Sequence, residues 1–470
     1  MKIHFSSIAV LAICLIFSVA CSNDKYGYKI KKGTAVYNTP ERPADQISMI
    51  GFAVDPIDTV RVGFIGLGMR GPSAIDRFTY IDGVETVAIC DLYPEKLEPV
   101  QRLLERRGKA RAAEYSGEDG WKELCEREDI DLVYIVTPWL THVPMSVYAM
   151  EHGKHVAVEV PAAVSVEECW QLVNTAERTR RHCMMLENCV YDFFELTTLN
   201  MAQQGLFGEI IHTEGAYIHN LDPFWDEYQD NWRYEYNKKH RGDIYPTHGM
   251  GPACWALDIH RGDRMKTLVA MDTDAFNGKK LAQKHGEESY LNGDHTTTLI
   301  RTEKGKTIEI QHNVVTPRPY NRMYQVEGTE GFANKYPNEG YAIRTEGRQF
   351  DGHKAVDDLT GSASDGEAYL SDEARDALME QYKHPIARDI EEMAKKVGGH
   401  GGMDFIMDYR LIYCLRNGLP LDQDVYDAAE WSSLGELTRV SIENGNIPVV
   451  MPDFTRGDWN KLDGLKLHLK

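Results

Sequence analysis

The sequence predicts an α/β protein of two domains: the first is built on a parallel, doubly wound sheet, and the second is an α+β domain with an open, mostly antiparallel sheet. Two observations predict this fold class. Over residues 59–186, short apolar runs alternate with helical stretches, which is the pattern of successive βαβ units. Over residues 187–470, the apolar runs are closely spaced, and several alternate apolar with polar side chains, as in hairpin-connected strands with one buried face.

The composition is that of a folded protein, and it limits the partners. The chain has 470 residues, enough for two or three domains at about 100–200 residues each. It carries 52 Lys and Arg residues against 72 Asp and Glu residues, a formal net charge of −20. This charge repels phosphate backbones and anionic lipid headgroups, so nucleic acid is not an expected partner. A neutral or cationic small substrate is easier to accommodate.

The first 21 residues have the features of an export signal. Lys2 precedes an apolar run over residues 8–17, which is shorter than the about 20 residues that span a bilayer. The run leads into Ser-Val-Ala-Cys at residues 18–21, a pattern typical of a lipoprotein cleavage site. We expect Cys21 to carry the lipid anchor of a protein exported to the bacterial cell envelope, and this anchor to be its contact with the membrane. An ordinary signal peptide with an incidental cysteine is the alternative.

Residues 22–58 are polar, contain three prolines and show little periodicity. This composition predicts a tether between the anchor and the folded body. The seven cysteines beyond Cys21 have no Cys-x-x-Cys spacing, and several lie in apolar runs. We expect them to be buried side chains, with no disulfide framework and no metal site, although a single bridge stays open for an exported protein.

The first domain opens with a dinucleotide-binding unit. An apolar strand over Val60–Ile65 is followed by the glycine-rich residues 66–71, a helical stretch, and a second strand over Thr86–Cys90. This order of strand, Gly-x-Gly-x-x-Gly, helix and strand is the Rossmann fingerprint. The agreement of four neighbouring features makes a chance glycine-rich turn a poor explanation.

Each residue of the fingerprint has a physical task. Gly66 permits the tight turn, Gly68 lets the backbone approach a pyrophosphate, and Gly71 allows close packing of helix on strand. The helix N-terminus favours the phosphate charge. Asp91 follows about 20 residues after Gly71, where a carboxylate accepts hydrogen bonds from a ribose diol. The unit therefore predicts NAD in preference to NADP.

Three more strands continue this domain, over residues 131–136, 155–158 and 183–186, and a helix is predicted over 163–181. The strands end in polar or aromatic segments at residues 137–142, 159–161 and 187–188. Ligands of doubly wound sheets bind at these carboxyl ends. The second domain is predicted to hold strands over residues 210–217, 266–271, 296–301, 307–312 and 323–328, and helices over residues 373–396, 405–418 and 425–444.

Five segments are long and chemically unusual: residues 137–142, 159–163, 245–252, 317–320 and 399–404. In this order they resemble glycoside hydrolase family 109, within the glucose-fructose oxidoreductase and inositol dehydrogenase superfamily. Dehydrogenases of that superfamily usually have Glu-Lys-Pro where this chain has Glu159-Val160-Pro161, so a favoured catalytic lysine of a simple dehydrogenase is replaced.

The resemblance implies an NAD-dependent α-N-acetylgalactosaminidase. It implies a redox-assisted mechanism of elimination and addition, in which NAD is recycled in each turnover. It also implies that hydrolysis retains the anomeric configuration. The implied NAD contacts, beside the glycines, are Met69, Arg70, Asp91, Trp139, Leu140, Thr141, His142, Glu159, Val160, Asn188 and Trp232. The implied substrate contacts are Tyr217, Arg233, Tyr245, His248 and Tyr320. Among them His248 and Tyr245 are the candidates for acid–base catalysis, with Tyr320 assisting.

Two other functions stay open. A sugar oxidoreductase of the same fold would release an oxidised product, and a carbohydrate-binding lipoprotein would keep the dinucleotide fold without catalysis. The sequence leaves open the preferred linkage, the oligomeric state and the residue that handles each proton. Three tryptophans outside the matching segments are predicted to be core residues: Trp225, Trp255 and Trp431.

Overall fold

The computed structural model describes residues 25–469. Cys21 and the predicted signal segment lie outside the described residues, so the lipid anchor stays a prediction. Within residues 25–469, no helix is both long enough and apolar enough to cross a membrane.

A hairpin and a six-stranded parallel sheet form the first part of the chain. The sheet has the strand order β5-β4-β3-β6-β7-β8, and its central strands are buried on both faces. The strands are β1 (Tyr28–Lys31) and β2 (Thr34–Tyr37) in the hairpin, and β3 (Val60–Ile65), β4 (Val84–Asp91), β5 (Ala113–Ser116), β6 (Leu132–Ile135), β7 (His155–Val158) and β8 (Cys183–Met185) in the sheet. The helices are α1 (Gly71–Phe78), α2 (Leu97–Arg106), α3 (Gly120–Cys125), α4 (Trp139–Glu151) and α5 (Val166–Thr179).

The second part holds a ten-stranded sheet of order β1-β2-β16-β10-β11-β12-β9-β13-β14-β15. Its neighbours are antiparallel except β9 with β12 and β2 with β16. Its strands beyond the hairpin are β9 (Ile210–Ile218), β10 (Met265–Asp272), β11 (Thr296–Thr302), β12 (Thr307–Asn313), β13 (Tyr324–Gly328), β14 (Gly331–Asn334), β15 (Gly340–Ile343) and β16 (Val449–Val450). The helices are α6 (Phe193–Gln203), α7 (Trp232–Lys239), α8 (Thr247–Ala256), α9 (Asn277–Lys284), α10 (His353–Thr360), α11 (Asp372–Gln381), α12 (Pro385–Arg388), α13 (Glu391–Val397), α14 (Met403–Asn417) and α15 (Val425–Glu443).

The predicted fold class is confirmed, but one predicted helix is divided. The continuous helix expected over residues 373–396 is three helices, α11, α12 and α13. Pro385 occupies the first turn of α12, and His384 before it has an extended backbone. Proline lacks the N–H that would continue the preceding helix and disfavours a helical conformation in the residue before it.

Residues 25–58 are part of the fold, which corrects the tether predicted over residues 22–58. Strand β2 pairs with β16 near the opposite end of the chain, so the hairpin extends the large sheet. Ala35 and Met49 are buried, and the Met49 N–H donates a hydrogen bond to the Tyr426 hydroxyl at 2.9 Å. The local composition suggested a tether because the partners of this segment lie about 400 residues away, where no local pattern reports them.

Helices α14 and α15 belong to the second domain but also pack on the first. Helix α15 lies against β10 of the large sheet and against α5 and β8 of the first domain, and α14 lies against α1 and β3. Asp408 of α14 accepts hydrogen bonds from Arg77 Nε at 2.7 Å and from the Tyr134 hydroxyl at 2.9 Å. The end of the chain therefore covers the parallel sheet and fixes the two domains against each other.

Glu177 of α5 joins three distant parts of the chain. Its buried carboxylate accepts hydrogen bonds from Arg42 Nε at 3.2 Å, from the Tyr426 hydroxyl at 2.6 Å and from Arg456. Arg42 also pairs with Asp458 at 3.0 Å. A buried carboxylate needs such partners to offset the cost of leaving water.

We expect Arg42→Ala to loosen the N-terminal segment. The change removes charge-assisted hydrogen bonds and should lower the free energy of unfolding by about 1–3 kcal/mol. Denaturant unfolding measures this loss, and limited proteolysis should cut residues 25–58 faster. Glu41→Ala, at an exposed neighbouring side chain, is the matched control. Equal stability and equal cleavage rates in the two variants would contradict the anchoring role of Arg42.

Candidate functional site

The predicted site residues gather at the carboxyl ends of the parallel strands. Five of these strands, β3, β4, β6, β7 and β8, end in segments that carry predicted cofactor contacts. The predicted catalytic and substrate contacts come from the second domain. Arg233 lies in the first turn of α7, His248 in the first turn of α8 and Tyr217 on β9, while Tyr245 and Tyr320 lie in loops. Arg233 and Tyr245 contact Trp139, and His248 contacts Glu187, at the carboxyl edge of the parallel sheet. The site is thus formed between the two sheets.

The loop after β3 has the geometry that its glycines predict. Gly66 has a φ of +99°, and a Cβ atom there would lie 2.4 Å from the Val136 main-chain oxygen. A Cβ atom at Gly71 would lie 2.1 Å from the Gly66 oxygen. A Cβ atom at Gly68 would meet nothing within 4 Å, so open space lies over the loop there. The loop therefore fits the pyrophosphate of a dinucleotide.

Asp91 lies at the end of β4, beside this loop. Its carboxylate accepts hydrogen bonds from the Leu67 N–H at 2.6 Å and from the Tyr93 N–H at 3.0 Å. A carboxylate has about four acceptor positions, so these bonds orient Asp91 and leave capacity for a ribose diol. The position agrees with the predicted preference for NAD.

Three other predicted cofactor contacts are held by ion pairs and hydrogen bonds. Arg70 Nε lies 3.3 Å from Glu159 Oε1, which joins the loop after β3 to the segment after β7. The buried Asn188, after β8, donates from Nδ2 to Asp404 of α14. Val160 is buried, whereas Met69 is exposed.

Helix α4 contributes the predicted segment from Trp139 to His142. Trp139 is buried, while Leu140 is exposed and Thr141 donates from Oγ1 to the Thr137 hydroxyl at 2.7 Å. His142 is fully buried, and its ring nitrogens lie 2.8 Å from the Pro161 oxygen and 2.7 Å from the Thr137 oxygen. His142 therefore has a structural role, because its ring joins the segment after β6 to the segment after β7.

Arg233 is enclosed by aromatic rings. Its guanidinium carbon lies 4.7 Å from the centre of the Tyr245 ring, 5.3 Å from that of Trp139 and 5.8 Å from that of Tyr217. Arg233 Nη1 donates a hydrogen bond to the Tyr228 hydroxyl at 2.7 Å. Within residues 25–469, its buried Nε and Nη2 atoms have no hydrogen-bond partner. A buried cation with free donors calls for acceptor oxygens from a ligand.

The same aromatic group reaches the cofactor edge. The Trp139 ring is stacked on Tyr245 at 5.4 Å and meets Trp232 edge to face at 5.1 Å. The structure therefore brings the predicted contact Trp232 to the predicted cofactor segment and to the predicted catalytic tyrosine.

His248, at the start of α8, has a carboxylate partner, Glu187, and the sequence analysis did not predict this pairing. His248 Nδ1 donates to both oxygens of Glu187, at 2.9 and 2.8 Å. Burial alone would raise the pKa of Glu187, but the charge of His248 and the hydrogen bonds from His248 and Cys189 hold it below its ordinary value. When the ring loses its charge and keeps its proton on Nδ1, Nε2 becomes an acceptor, and this nitrogen lies 3.3 Å from the Tyr245 hydroxyl.

Tyr320 lies at the rim of the site and is 44% exposed. It contacts His219 edge to face at 5.0 Å, and His219 Nδ1 lies 2.8 Å from the Tyr217 hydroxyl. Burial, followed by the charges of Arg233 and His248, lowers the pKa of His219 to about 4. The ring is therefore neutral at neutral pH and can accept the proton of the Tyr217 hydroxyl.

Two residues of this site were missing from the sequence analysis, His219 and Tyr228. Glu187 was placed there at the end of the strand predicted over residues 183–186, but it was given no role. His219 lies one residue beyond the end of β9 and two residues after Tyr217, so the period-two alternation of the strand could have indicated it. Tyr228 carries no local signal beyond an aromatic loop. Outside the site, Trp225, Trp255 and Trp431 are buried as predicted, and so are the seven cysteines of the described chain, all unpaired.

Two family models match the chain. The model described as "Glycosyl hydrolase 109, C-terminal domain" matches residues 191–461, more than half of the chain. The chain belongs to glycosyl hydrolase family 109. The model described as "Oxidoreductase family, NAD-binding Rossmann fold" matches residues 60–187. The chain is therefore a glycoside hydrolase that uses NAD.

Curated relatives agree over nearly the whole length. A glycosyl hydrolase family 109 protein of Porphyromonas gingivalis is 60% identical over 462 residues, which cover 97% of this chain and 98% of the relative. Glycosyl hydrolase family 109 protein 1 of Bacteroides thetaiotaomicron is 61% identical over 442 residues, which cover 93% of this chain and 94% of the relative.

Solved structures share the fold at low identity. Levoglucosan dehydrogenase in complex with NADH has a TM-score of 0.61 at 16% identity, over 84% of this family 109 chain and 100% of the dehydrogenase. Myo-inositol dehydrogenase from Lactobacillus casei, in complex with NAD(H) and myo-inositol, has a TM-score of 0.55 at 16% identity, over 84% and 99% of the two chains.

The pairing of Glu187 with His248 yields a testable prediction for this family 109 enzyme. Glu187→Gln removes the negative partner that orients the ring and should lower kcat by about 10²–10⁴-fold, the range of acid–base catalysis. Bound NAD should stay at the wild-type level. Release of p-nitrophenol from an aryl glycoside and assay of nucleotide in denatured protein measure the two quantities.

Glu430→Gln is the matched control. Glu430 is a second buried carboxylate, paired with the buried His260 away from this edge. Its replacement should lower thermal stability and leave kcat near the wild-type value. An equal loss of kcat in both variants would mean that Glu187 acts through general stability alone.

Proposed function

We propose that this family 109 enzyme removes terminal α-linked N-acetylgalactosamine, with retention of configuration, by a redox-assisted elimination and addition in which NAD is recycled. The observation that supports this most directly is the position of the acid–base groups. His248, backed by Glu187, lies 3.3 Å from the Tyr245 hydroxyl, and Tyr245 is stacked on Trp139 of the predicted cofactor segment. Proton transfer and the cofactor edge are thus adjacent.

NAD, when bound, supplies a reversible two-electron oxidation of the sugar C3 hydroxyl. The resulting C3 ketone acidifies the C2 proton, so a base of the chain removes it, and the C1–O bond breaks as the C1=C2 bond forms. Water then adds at C1, a proton returns to C2, and C3 is reduced back to the alcohol. The sum is hydrolysis of the glycoside, with no net consumption of NAD.

The chain's own residues perform the proton transfers. His248 Nε2 is free to accept a proton because Nδ1 is engaged by Glu187, and the buried carboxylate stabilises the charged ring that results. The Tyr245 hydroxyl lies within reach of the same nitrogen and shares the proton with it. Tyr320 assists at the rim. The proposal gives the C2 proton to His248 and Tyr245 as a pair.

Arg233 and its aromatic rings bind the sugar in this proposal. The free Nε and Nη2 donors suit acceptor oxygens, such as the carbonyl of the acetamido group. The surrounding Tyr217, Tyr228 and Tyr245 supply apolar faces together with hydroxyls, a combination that suits a ring with both C–H and O–H groups. The enzyme would then prefer sugars that carry the acetamido group, because a sugar without it leaves the buried Arg233 donors unpaired.

The mechanism predicts isotope exchange at one carbon. Hydrolysis of an aryl α-N-acetylgalactosaminide in deuterated water, without added NAD, should place deuterium at C2 of the released sugar, with the α configuration formed first. Substrate deuterated at C3 should keep its label because the same hydrogen leaves and returns. Mass spectrometry and NMR of the product measure both.

A panel of α- and β-linked glycosides gives the control for specificity, with the α-linked N-acetylgalactosaminide expected to react fastest. Product free of deuterium at C2, obtained with NAD confirmed in the protein, rules out elimination. Accumulation of NADH with an oxidised sugar would favour the sugar oxidoreductase instead.

A further inference from the structure

A glycine-rich turn before α14 reaches the cofactor edge, and the proposed mechanism makes no use of it. The turn, residues 398–402, belongs to a segment that the sequence analysis singled out. Its five residues all have positive φ: Gly398 84°, Gly399 83°, His400 46°, Gly401 78° and Gly402 115°. A Cβ atom at Gly399 would lie 2.7 Å from Asp404 Cβ, so only glycine lets the turn pass this close to Asp404.

Asp404, in the first turn of α14, is buried among four polar partners. Its carboxylate lies 3.3 Å from Arg70 Nη2, 3.0 Å from His400 Nδ1 and 3.6 Å from Arg77 Nη1. It also accepts a hydrogen bond from Asn188 Nδ2. Burial alone would raise the pKa of Asp404, but the hydrogen bond from His400 and the charges of Arg70 and Arg77 hold it well below its ordinary value. Asp404 is therefore ionised, with four donor groups around its carboxylate.

Two of these donors are predicted NAD contacts on different loops. Arg70 belongs to the loop after β3 and also pairs with Glu159 after β7, while Asn188 follows β8. Asp404 comes from the end of the chain and links these loops at the carboxyl edge. A dinucleotide that contacts Arg70 and Asn188 would therefore touch two loops that Asp404 joins.

We propose that Asp404 is a positioning residue that holds Arg70 and Asn188 in their NAD-binding arrangement and thereby slows release of the cofactor. The proposal concerns retention of NAD and does not depend on the catalytic steps above. It rests on the assignment of Arg70 and Asn188 as cofactor contacts.

The chain offers a matched pair of variants. Asp404 and Asp408 lie one turn apart on α14, both are buried, and both pair with Arg77. Asp408 otherwise accepts from the Tyr134 hydroxyl, whereas Asp404 meets Arg70 and Asn188. Asp408→Asn therefore measures the effect of weakening the ion pair with Arg77. Asp404→Asn weakens an ion pair with Arg77 too, and it also weakens the contacts with Arg70 and Asn188 at the cofactor edge.

The experiment measures dissociation of NAD from full-length purified protein, with etheno-NAD in excess as the fluorescent competitor. Asp404→Asn should release NAD about 10–100-fold faster, as expected for loss of charge-assisted hydrogen bonds. Asp408→Asn should change the release rate by less than about threefold, the low end of coupling between neighbouring residues, because Asp408 meets neither Arg70 nor Asn188, although its melting temperature falls. Asn188→Ala should add less in the Asp404→Asn background than alone, because the two side chains act together.

The outcomes decide the proposal whether or not the protein is active on glycosides. The proposal is overturned if Asp404→Asn has a lower melting temperature but releases NAD no faster than Asp408→Asn does. If Asp404→Asn does not fold, His400→Ala decides, because the His400 side chain is 49% exposed and contacts both Asp404 and Arg70 of this cluster. Release about two- to fivefold faster in His400→Ala, the effect of one exposed charged contact, supports the proposal, and an unchanged rate overturns it.

Discussion

The hydrogen-bonded pair of Glu187 and His248 is the interaction on which the site depends. Glu187 ends the parallel sheet of the first domain, and His248 begins α8 of the second. A fully buried carboxylate is costly unless it is paired, so the two domains have one favourable placement, with the histidine facing the carboxyl edge of the parallel sheet. The same contact fixes the tautomer of His248, because a proton on Nδ1 leaves Nε2 as the acceptor.

A second buried charge works in the opposite way. Arg233 has no carboxylate on its guanidinium in the described contacts; it meets Tyr228 and the faces of neighbouring aromatic rings. Cation–π contacts stabilise a guanidinium only in part, by about 0.5–2 kcal/mol each. Its Nε and Nη2 atoms therefore lack acceptors within the described residues, and the proposed sugar substrate would supply oxygen atoms to them. The paired charge orients the candidate catalytic histidine, and the unpaired charge is available to a ligand.

The sequence predicted those parts of the molecule that local patterns describe. The glycine loop, Asp91 and the polar ends of successive strands were expected at one edge, and the fold class is confirmed. Two features escaped because their causes are distant in sequence. Residues 25–58 are ordered by β16 and by Glu177, and Glu187 gained meaning only when α8 brought His248 to it. The break before Pro385 has a local cause, and the prediction of one continuous helix did not take the proline into account. Pairings across such separations are set by tertiary packing.

The contact of the C-terminal helix α14 with the cofactor edge bears on the proposed NAD chemistry. A dehydrogenase that releases a reduced cofactor must open its site in every cycle. A glycosidase that returns NAD to its starting state has no such need, and slow release then costs it nothing in turnover. Helix α14 packs on β3 and α1 and sends Asp404 to Arg70 and Asn188, so residues beyond the dinucleotide domain close that domain's own edge. Under the proposed recycling, a site built to keep its cofactor is the expected physical solution, because retention and catalysis no longer compete.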